Sequence, residues 1–186
     1  MAMHRGLRFA MAIAAASAVA FTLALAATPD TTIDKALAEK QLLFPLPRAQ
    51  SRGLRDSFSE KRGGRMHEAV DIMAPRGTPV RAVDDGRIEK LFTSVPGGIT
   101  IYQFDATNTF TYYYAHLDRY ATGLAQGALV KRGDVIGYVG STGNAAPNAP
   151  HLHFAIFRLG MLRQWWKGEA IDPYPYLAVA ADAVPR

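Results

Sequence analysis

From about residue 54, the chain consists of short apolar or alternating runs separated by turn-forming residues. Six runs are rich in Thr, Val, Ile and Tyr, which suit the half-buried positions of a pleated sheet. These runs cover residues 78–83, 86–93, 99–104, 110–116, 134–139 and 151–158. Gly, Pro and Asp stand between them, as at residues 84–86 and 96–98. The pattern predicts an all-β fold, a short-stranded antiparallel sandwich or barrel.

The chain before residue 54 follows other patterns. Residues 31–44 carry apolar side chains at near-helical spacing after a candidate N-cap, which predicts a short helix. The Pro and Gly residues of 45–53 then exclude a helix interior or a central strand. We therefore divide the chain into four parts. They are an apolar leader (1–27), a helical or extended lead-in (28–53), one domain (54–176) and a tail (177–186).

The leader has the form of a targeting segment. Positive charge in residues 1–8 precedes an almost wholly apolar run that ends in small residues, as in a secretory signal peptide. The apolar run is also nearly long enough to span a bilayer, so a single uncleaved N-terminal membrane anchor stays open. Either alternative predicts an exported protein, in the periplasm or cell envelope.

Composition narrows the classes of function. The formal net charge of +5 is mild and not clustered, so we expect no nucleic-acid partner. Cysteine is absent, which excludes disulfides, thiolate nucleophiles and thiolate metal ligands. Any metal must therefore be held by histidine and carboxylate side chains.

Histidines and one aspartate form the main chemical signal. His151 and His153 stand two apart in a predicted strand, so both point to one face, about 6.5–7 Å apart. His67 and Asp71 are four apart, but Pro75 argues against a helix, and a straight strand would separate them by about 13 Å. A bend between them is therefore predicted. Two histidines, one carboxylate and a water form an open zinc site with room for substrate.

His116 ends a tyrosine-rich run in which alternation places Tyr112, Tyr114 and His116 on one face. Taken alone, such a histidine is more often a packing residue. Beside a metal site it becomes a candidate proton-transfer group, because histidine titrates near neutral pH. Glu68 is an alternative ligand, although a solvated side chain is the simpler interpretation.

The order of these motifs resembles the lysostaphin-like (LytM-type) zinc metallopeptidases, which cut peptide cross-links in peptidoglycan. His67 and Asp71 match the family's His-x-x-x-Asp motif, and residues 114–117 match its aromatic-x-His-Leu motif. Residues 135–144 match the glycine-rich approach, and residues 151–154 match the closing His-Leu-His-Phe motif. There are departures at Glu68 and Ser59, where the family often has Gly, and in a longer loop at 144–150. These departures concern substrate fit rather than the metal site.

The resemblance implies an antiparallel fold of the duplicated hybrid motif type and one zinc ion held by His67, Asp71 and His153. It also implies that His116 and His151 are catalytic, one accepting the water proton and the other binding the oxyanion, without saying which. The substrate would be a peptidoglycan peptide. The alternative is a non-catalytic or weakly catalytic LytM-type domain that binds and regulates other wall hydrolases.

Aromatic residues near the site allow two weaker predictions. Tyr112 or Tyr114 is a candidate helper at the oxyanion, although packing within the sheet is the simpler role. Trp165 and Trp166 are expected to cover apolar surface rather than to bind a glycan.

Overall fold

The computed structural model describes residues 31–182. Helices α1 (Thr31–Glu39) and α2 (Tyr174–Asp182) lie at the two ends, and a 3-10 helix covers Arg48–Gly53. Between them run β1 (Lys61–Arg62), β2 (Arg65–Met66), β3 (Val70–Met73), β4 (Pro79–Arg81), β5 (Gly86–Ser94), β6 (Gly98–Asp105), β7 (Phe110–Tyr120), β8 (Leu129–Val130), β9 (Val135–Val139), β10 (His151–Leu159) and β11 (Gly168–Ile171). The predicted leader, 1–27, lies outside the described residues, as do residues 28–30 of the lead-in and 183–186 of the tail. Within 31–182, no helix is long and apolar enough to cross a membrane.

The strands form one antiparallel sheet of nine strands and a separate β1–β2 hairpin. The main path runs β11-β10-β7-β6-β5-β8, while β3 pairs with β10, and β9 pairs with both β4 and β7. The predicted antiparallel β class is therefore confirmed. The β5–β6 turn needs Gly98, because its φ is +64° and a Cβ there would lie 2.2 Å from the Thr142 hydroxyl oxygen.

Alternation along β10 sorts its side chains into two sets. Leu152, Phe154 and Ile156 are fully buried in the core, whereas His151 and His153 are partly exposed on the other face. This is the alternation that the sequence predicted. Each such apolar side chain contributes roughly 1.5–3 kcal/mol through burial, so the packed face holds the histidine-bearing face in place.

The lead-in is part of the same core. Helix α1 ends at Glu39, earlier than the predicted residue 44, because the chain then turns and runs extended along β4. The Leu43 N–H donates to the Val83 carbonyl, and the Arg81 N–H donates to the Pro45 carbonyl, each at 2.8 Å. The lead-in places four side chains in the core, those of Leu37, Leu42, Phe44 and Leu46.

The end of the chain contains two elements that the sequence pattern did not predict, β11 and α2. Helix α2 includes Pro175 in its first turn, where a missing N–H is tolerated. The Tyr174 N–H donates to Asp172 Oδ1 at 2.9 Å, and Leu177 is buried in the core. Pro173 and Pro175 therefore lie at the beginning of a helix and do not interrupt it.

A buried ion-pair cluster joins the lead-in to the sheet. Lys40 Nζ lies 3.1 Å from Asp84 Oδ2 and 2.9 Å from Asp105 Oδ2. The Asp105 side chain is fully buried and also accepts the backbone N–H groups of Thr109 and Phe110. Burial alone would raise the pKa of Asp105, but hydrogen bonds from Thr107, Phe110 and Lys40 outweigh it and lower that pKa.

We expect Asp105→Asn to lower the free energy of unfolding by about 2–3 kcal/mol at pH 7. Breaking a buried pair typically costs about 3–5 kcal/mol, but Asp84 still accompanies Lys40 in this variant. The pKa of Asp105 is lower in the folded protein than in the unfolded chain. Its contribution to the free energy of unfolding is therefore complete above the pKa of the unfolded chain, and it is lost as pH falls through the pKa of the folded protein. Urea unfolding across pH 2–7 measures this difference. The control is Asp85→Asn, at an exposed carboxylate, which should lower the free energy of unfolding less. If the destabilisation by Asp105→Asn is as large at pH 2 as at pH 7, the buried ion pair is not its cause.

Candidate metal centre and cleft

Three side chains converge at the end of β10. Asp71 on β3 and His153 on β10 are directly opposed in the strand pairing, and His67 lies in the segment before β3. Asp71 Oδ1 is 3.0 Å from His153 Nδ1 and 3.2 Å from His67 Nε2. The two histidine nitrogens are 3.1 Å apart. One atom from each residue thus lies within 4.8 Å of the others, a group that can hold a metal ion.

The bend predicted between His67 and Asp71 lies at Glu68. Its φ is +56°, a left-handed conformation that is uncommon outside glycine. Two backbone hydrogen bonds stabilise the bend. The His67 N–H donates to the Glu60 carbonyl at 2.8 Å, and the Glu68 N–H donates to the Phe58 carbonyl at 2.9 Å. The bend brings the imidazole of His67 back onto the carboxylate of Asp71. Glu68 itself lines the neighbouring cleft and does not belong to the group of three.

Hydrogen bonds from outside orient the group. His67 Nδ1 donates to the Ser57 carbonyl at 3.0 Å, so its Nε2 presents a lone pair to the other two residues. Arg62 Nη1 donates to Asp71 Oδ2 at 2.7 Å, which leaves Oδ1 facing the histidines. Convergent lone pairs at about 3 Å are mutually unfavourable without a cation between them. The donor set therefore fits a metal ion.

The electrostatics of Asp71 and His153 favour the forms that ligate metals. Burial opposes ionisation of Asp71, but the close ring nitrogens of His153 and His67 and the hydrogen bond from Arg62 outweigh it and hold the pKa of its carboxyl well below the usual range. Burial also lowers the pKa of His153, which favours the neutral imidazole. A carboxylate and neutral imidazoles are the ligating forms.

His116 and His151 lie beside this group without joining it. Their ring centroids are 4.8 Å apart, and the His116 ring is 5.6 Å from that of His153. His116 Nδ1 donates to the Thr142 carbonyl at 2.8 Å, and His151 Nδ1 donates to the Ala149 carbonyl at 2.9 Å. In its neutral form, each ring therefore presents an unprotonated Nε2. Burial, reinforced by the neighbouring histidines, lowers the pKa of His116 to about 4.

The predicted face shared by Tyr112, Tyr114 and His116 is wrong for His116. Tyr112 and Tyr114 point into the core, where their hydroxyls donate to Asp84 Oδ2 and Gln103 Oε1. His116 leaves this alternation because its φ is +58°. The two tyrosines therefore cannot assist chemistry at the histidines. Tyr113 lies on the site side instead, with its ring 5.9 Å from that of His153, and the periodicity gave no signal for it.

A cleft of about 890 Å³ opens beside the group. Part of its wall is Trp165, which packs on Phe92 and Tyr102 as an apolar cover, consistent with expectation. Trp166 differs, because 61% of it remains exposed. The residues that also line the cleft include His67, Glu68, Arg62, Arg65, Tyr113, His116, His153 and Lys167.

Comparison with known proteins agrees with this geometry. The model of Peptidase family M23 matches residues 65–173. The L-Ala--D-Glu endopeptidase of Bacillus subtilis (strain 168) is 36% identical over 142 residues, which cover 72% of this chain and 42% of that protein. Lysostaphin of Staphylococcus simulans is 36% identical over 118 residues, which cover 63% of this chain and 22% of that protein.

Solved structures agree as well. The catalytic domain of the antimicrobial peptidase lysostaphin from Staphylococcus simulans superposes with a TM-score of 0.59 at 30% identity. The match covers 71% of this chain and 98% of that domain. The match thus extends over nearly the whole of that solved domain, whereas this chain spans less than half the length of either curated relative.

Proposed function

Because the chain belongs to peptidase family M23, the lysostaphin-like (LytM-type) group that its motifs predicted, we propose that it is a zinc-dependent endopeptidase of cell-wall peptidoglycan. The observation that carries this proposal is the convergence of His67 Nε2, Asp71 Oδ1 and His153 Nδ1 beside a wide cleft. These three residues would hold one zinc ion. Three ligands leave a coordination position open, as catalytic zinc sites require.

The chain's own residues define the rest of the mechanism. A bound zinc ion would supply Lewis acidity, which acidifies water and polarises the scissile carbonyl. His116 and His151 present their Nε2 atoms beside it, so one imidazole accepts the proton of the attacking water and returns it to the leaving amine. The other faces the oxygen on which negative charge develops. Water adds to the carbonyl carbon, the C–N bond breaks, and a carboxylate and an amine result.

The non-catalytic alternative is not favoured. A domain that only binds and regulates other wall hydrolases would be expected to have lost a ligand, whereas His67, Asp71 and His153 are all present and assembled. A peptidoglycan substrate would lie outside the cytoplasmic membrane. We therefore propose the periplasm or cell envelope, in accord with the leader-like residues 1–27.

Incubation of the purified protein with peptidoglycan sacculi tests the proposed function. We expect soluble fragments whose masses correspond to hydrolysis of a peptide bond, and no release after a zinc chelator is added. The His67→Ala variant, treated identically, should release none. Equal release with the chelator, or by His67→Ala, would sink the proposal, as would release of fragments cut only in the glycan.

Arg62 is predicted to be a positioning residue for the metal centre. Its guanidinium contacts Asp71 Oδ2, the oxygen turned away from the histidines. We expect Arg62→Met to weaken zinc binding about 10- to 100-fold, the usual effect of losing a group that orients a ligand. Competition with a chromophoric chelator measures the Kd. Arg52→Met, on the 3-10 helix, is the matched control; an unchanged Kd in Arg62→Met refutes the role.

A further inference from the structure

Aromatic rings form a continuous wall from the candidate metal centre to solvent. The His153 ring contacts Tyr113 at a centroid distance of 5.9 Å, and Tyr113 contacts Tyr102 at 4.6 Å. Tyr102 then contacts Trp165 at 4.8 Å, and Trp165 contacts Trp166 at 5.3 Å. All five rings line the cleft, so they form one side of the path that a bound peptide would follow.

The charged residues of the cleft are mostly basic. Arg62, Arg65 and Lys167 line it, against Glu68 alone among acidic residues. Arg62 is already engaged, since it contacts both Asp71 and Glu60. Among residues 31–182, Arg65 and Lys167 make no ion pair. Two cations thus remain available to a ligand, and Lys167 directly follows the exposed ring of Trp166.

This combination suits one kind of peptide. A glycine bridge has neither aliphatic side chains nor carboxylates, so it gains little from the ring wall and forms no ion pair with the cations. A peptide with aliphatic side chains and free carboxylates can use both, because rings bury aliphatic groups and Arg or Lys binds carboxylates. The relatives differ in the peptide bond for which they are named. The Bacillus subtilis protein is named for an L-Ala–D-Glu bond, and one from Staphylococcus capitis is named for a glycyl-glycine bond.

Building on the proposed function, we propose that this cleft selects wall peptides with a free carboxylate near the cut bond, recognised by Arg65 and Lys167 against the wall of Trp165 and Trp166. Arg65 enters from the β1–β2 hairpin, and Lys167 from the loop between β10 and β11. Selection thus depends on two short surface segments rather than on the metal centre. A chain with the same metal centre and other residues in these segments would prefer another peptide.

Three cross-linked peptide dimers without sugars test the proposal. The first carries free carboxylates, the second is identical but amidated at those carboxylates, and the third is joined through pentaglycine. We expect kcat/KM for the free-carboxylate dimer to exceed that for the amidated dimer at least tenfold, equivalent to about 1.4 kcal/mol. The pentaglycine dimer should be the poorest substrate.

Charge variants locate the preference. In Arg65→Gln/Lys167→Gln, the ratio of kcat/KM for the free over the amidated dimer should fall to near one. Arg65→Lys/Lys167→Arg should retain most of the ratio, because the charges remain. The matched control Lys35→Gln/Arg52→Gln removes the same charge outside the cleft and should keep the wild-type ratio.

The outcomes separate this proposal from the proposed function. Equal kcat/KM for the free and amidated dimers, fastest cleavage of pentaglycine, or a ratio unchanged by Arg65→Gln/Lys167→Gln overturns the selectivity. If neither sacculi nor any dimer is cut, the proposed function fails. Binding to His151→Ala, followed by tryptophan fluorescence, still decides the selectivity in that case: a tenfold lower Kd for the free-carboxylate dimer supports it, and equal Kd values overturn it.

Discussion

His153→Ala is expected to lose zinc and turnover together. Two ligands would remain of three, so zinc should bind more than about 100-fold more weakly, beyond the effect of losing an orienting group. Turnover of sacculi should fall by roughly 10²–10³-fold or more at limiting zinc, because the Lewis acid contributes several kcal/mol. Asp71→Asn should behave similarly, since an amide oxygen is a weaker ligand than a carboxylate. Zinc content by elemental mass spectrometry and fragment release measure the two effects.

The neighbouring histidine of the same strand provides the control. His151 lies two residues from His153 on the same face, and its Nε2 is 3.8 Å from Asp71 Oδ1, yet it is not in the group of three. His151→Ala should therefore keep its zinc. Wild-type zinc affinity in His153→Ala, or loss of zinc only in His151→Ala, would mean that the ligands have been assigned to the wrong residues.

The two histidines proposed as catalytic, His116 and His151, should show the opposite behaviour. His116→Asn and His151→Ala are expected to retain one zinc ion while kcat falls by about 10²–10⁴-fold, the usual contribution of a positioned acid or base. Asn is chosen at position 116 because it tolerates the positive φ found there, so the backbone need not rearrange. The KM should change much less than kcat, since the ring wall, Arg65 and Lys167 are unchanged in both variants.

Measurement of kcat, KM and bound zinc on the same samples checks this prediction. Tyr114→Phe is a control for general damage to β7, because its hydroxyl contacts Gln103 in the core. It should lose stability rather than turnover at a temperature where it remains folded. A kcat within twofold of wild type in both histidine variants would remove these residues from the mechanism.

Much of the site could be predicted because it follows from local geometry. Strand alternation placed His151 and His153 on one face, and the strand-like segment required a bend between His67 and Asp71, found at Glu68. Alternation alone could not show which of His151 and His153 is the candidate metal ligand. His153 is opposite Asp71, whereas His151 is opposite Met73, and that register depends on contacts about 80 residues apart in sequence. The division of roles therefore came from the family resemblance.

Other features escaped prediction for identifiable reasons. The left-handed φ of His116 shifts the phase of β7, so His116 lies on the face of Tyr113 rather than on that of Tyr112 and Tyr114. Strands β1, β2 and β8 are two residues long, too short to show a period. The roles of Trp165 and Trp166 depend on which surface their loop covers, and sequence gives no measure of that.

A zinc titration shows whether the protein is a peptidase that requires one bound zinc ion. Metal-free protein is loaded with increasing zinc while the rate of peptide release from sacculi is followed. We expect no release without zinc, a linear rise in rate as zinc is added, and a plateau at one zinc ion per chain. Full activity in metal-free protein, or no activity once one zinc ion is bound, would contradict this expectation.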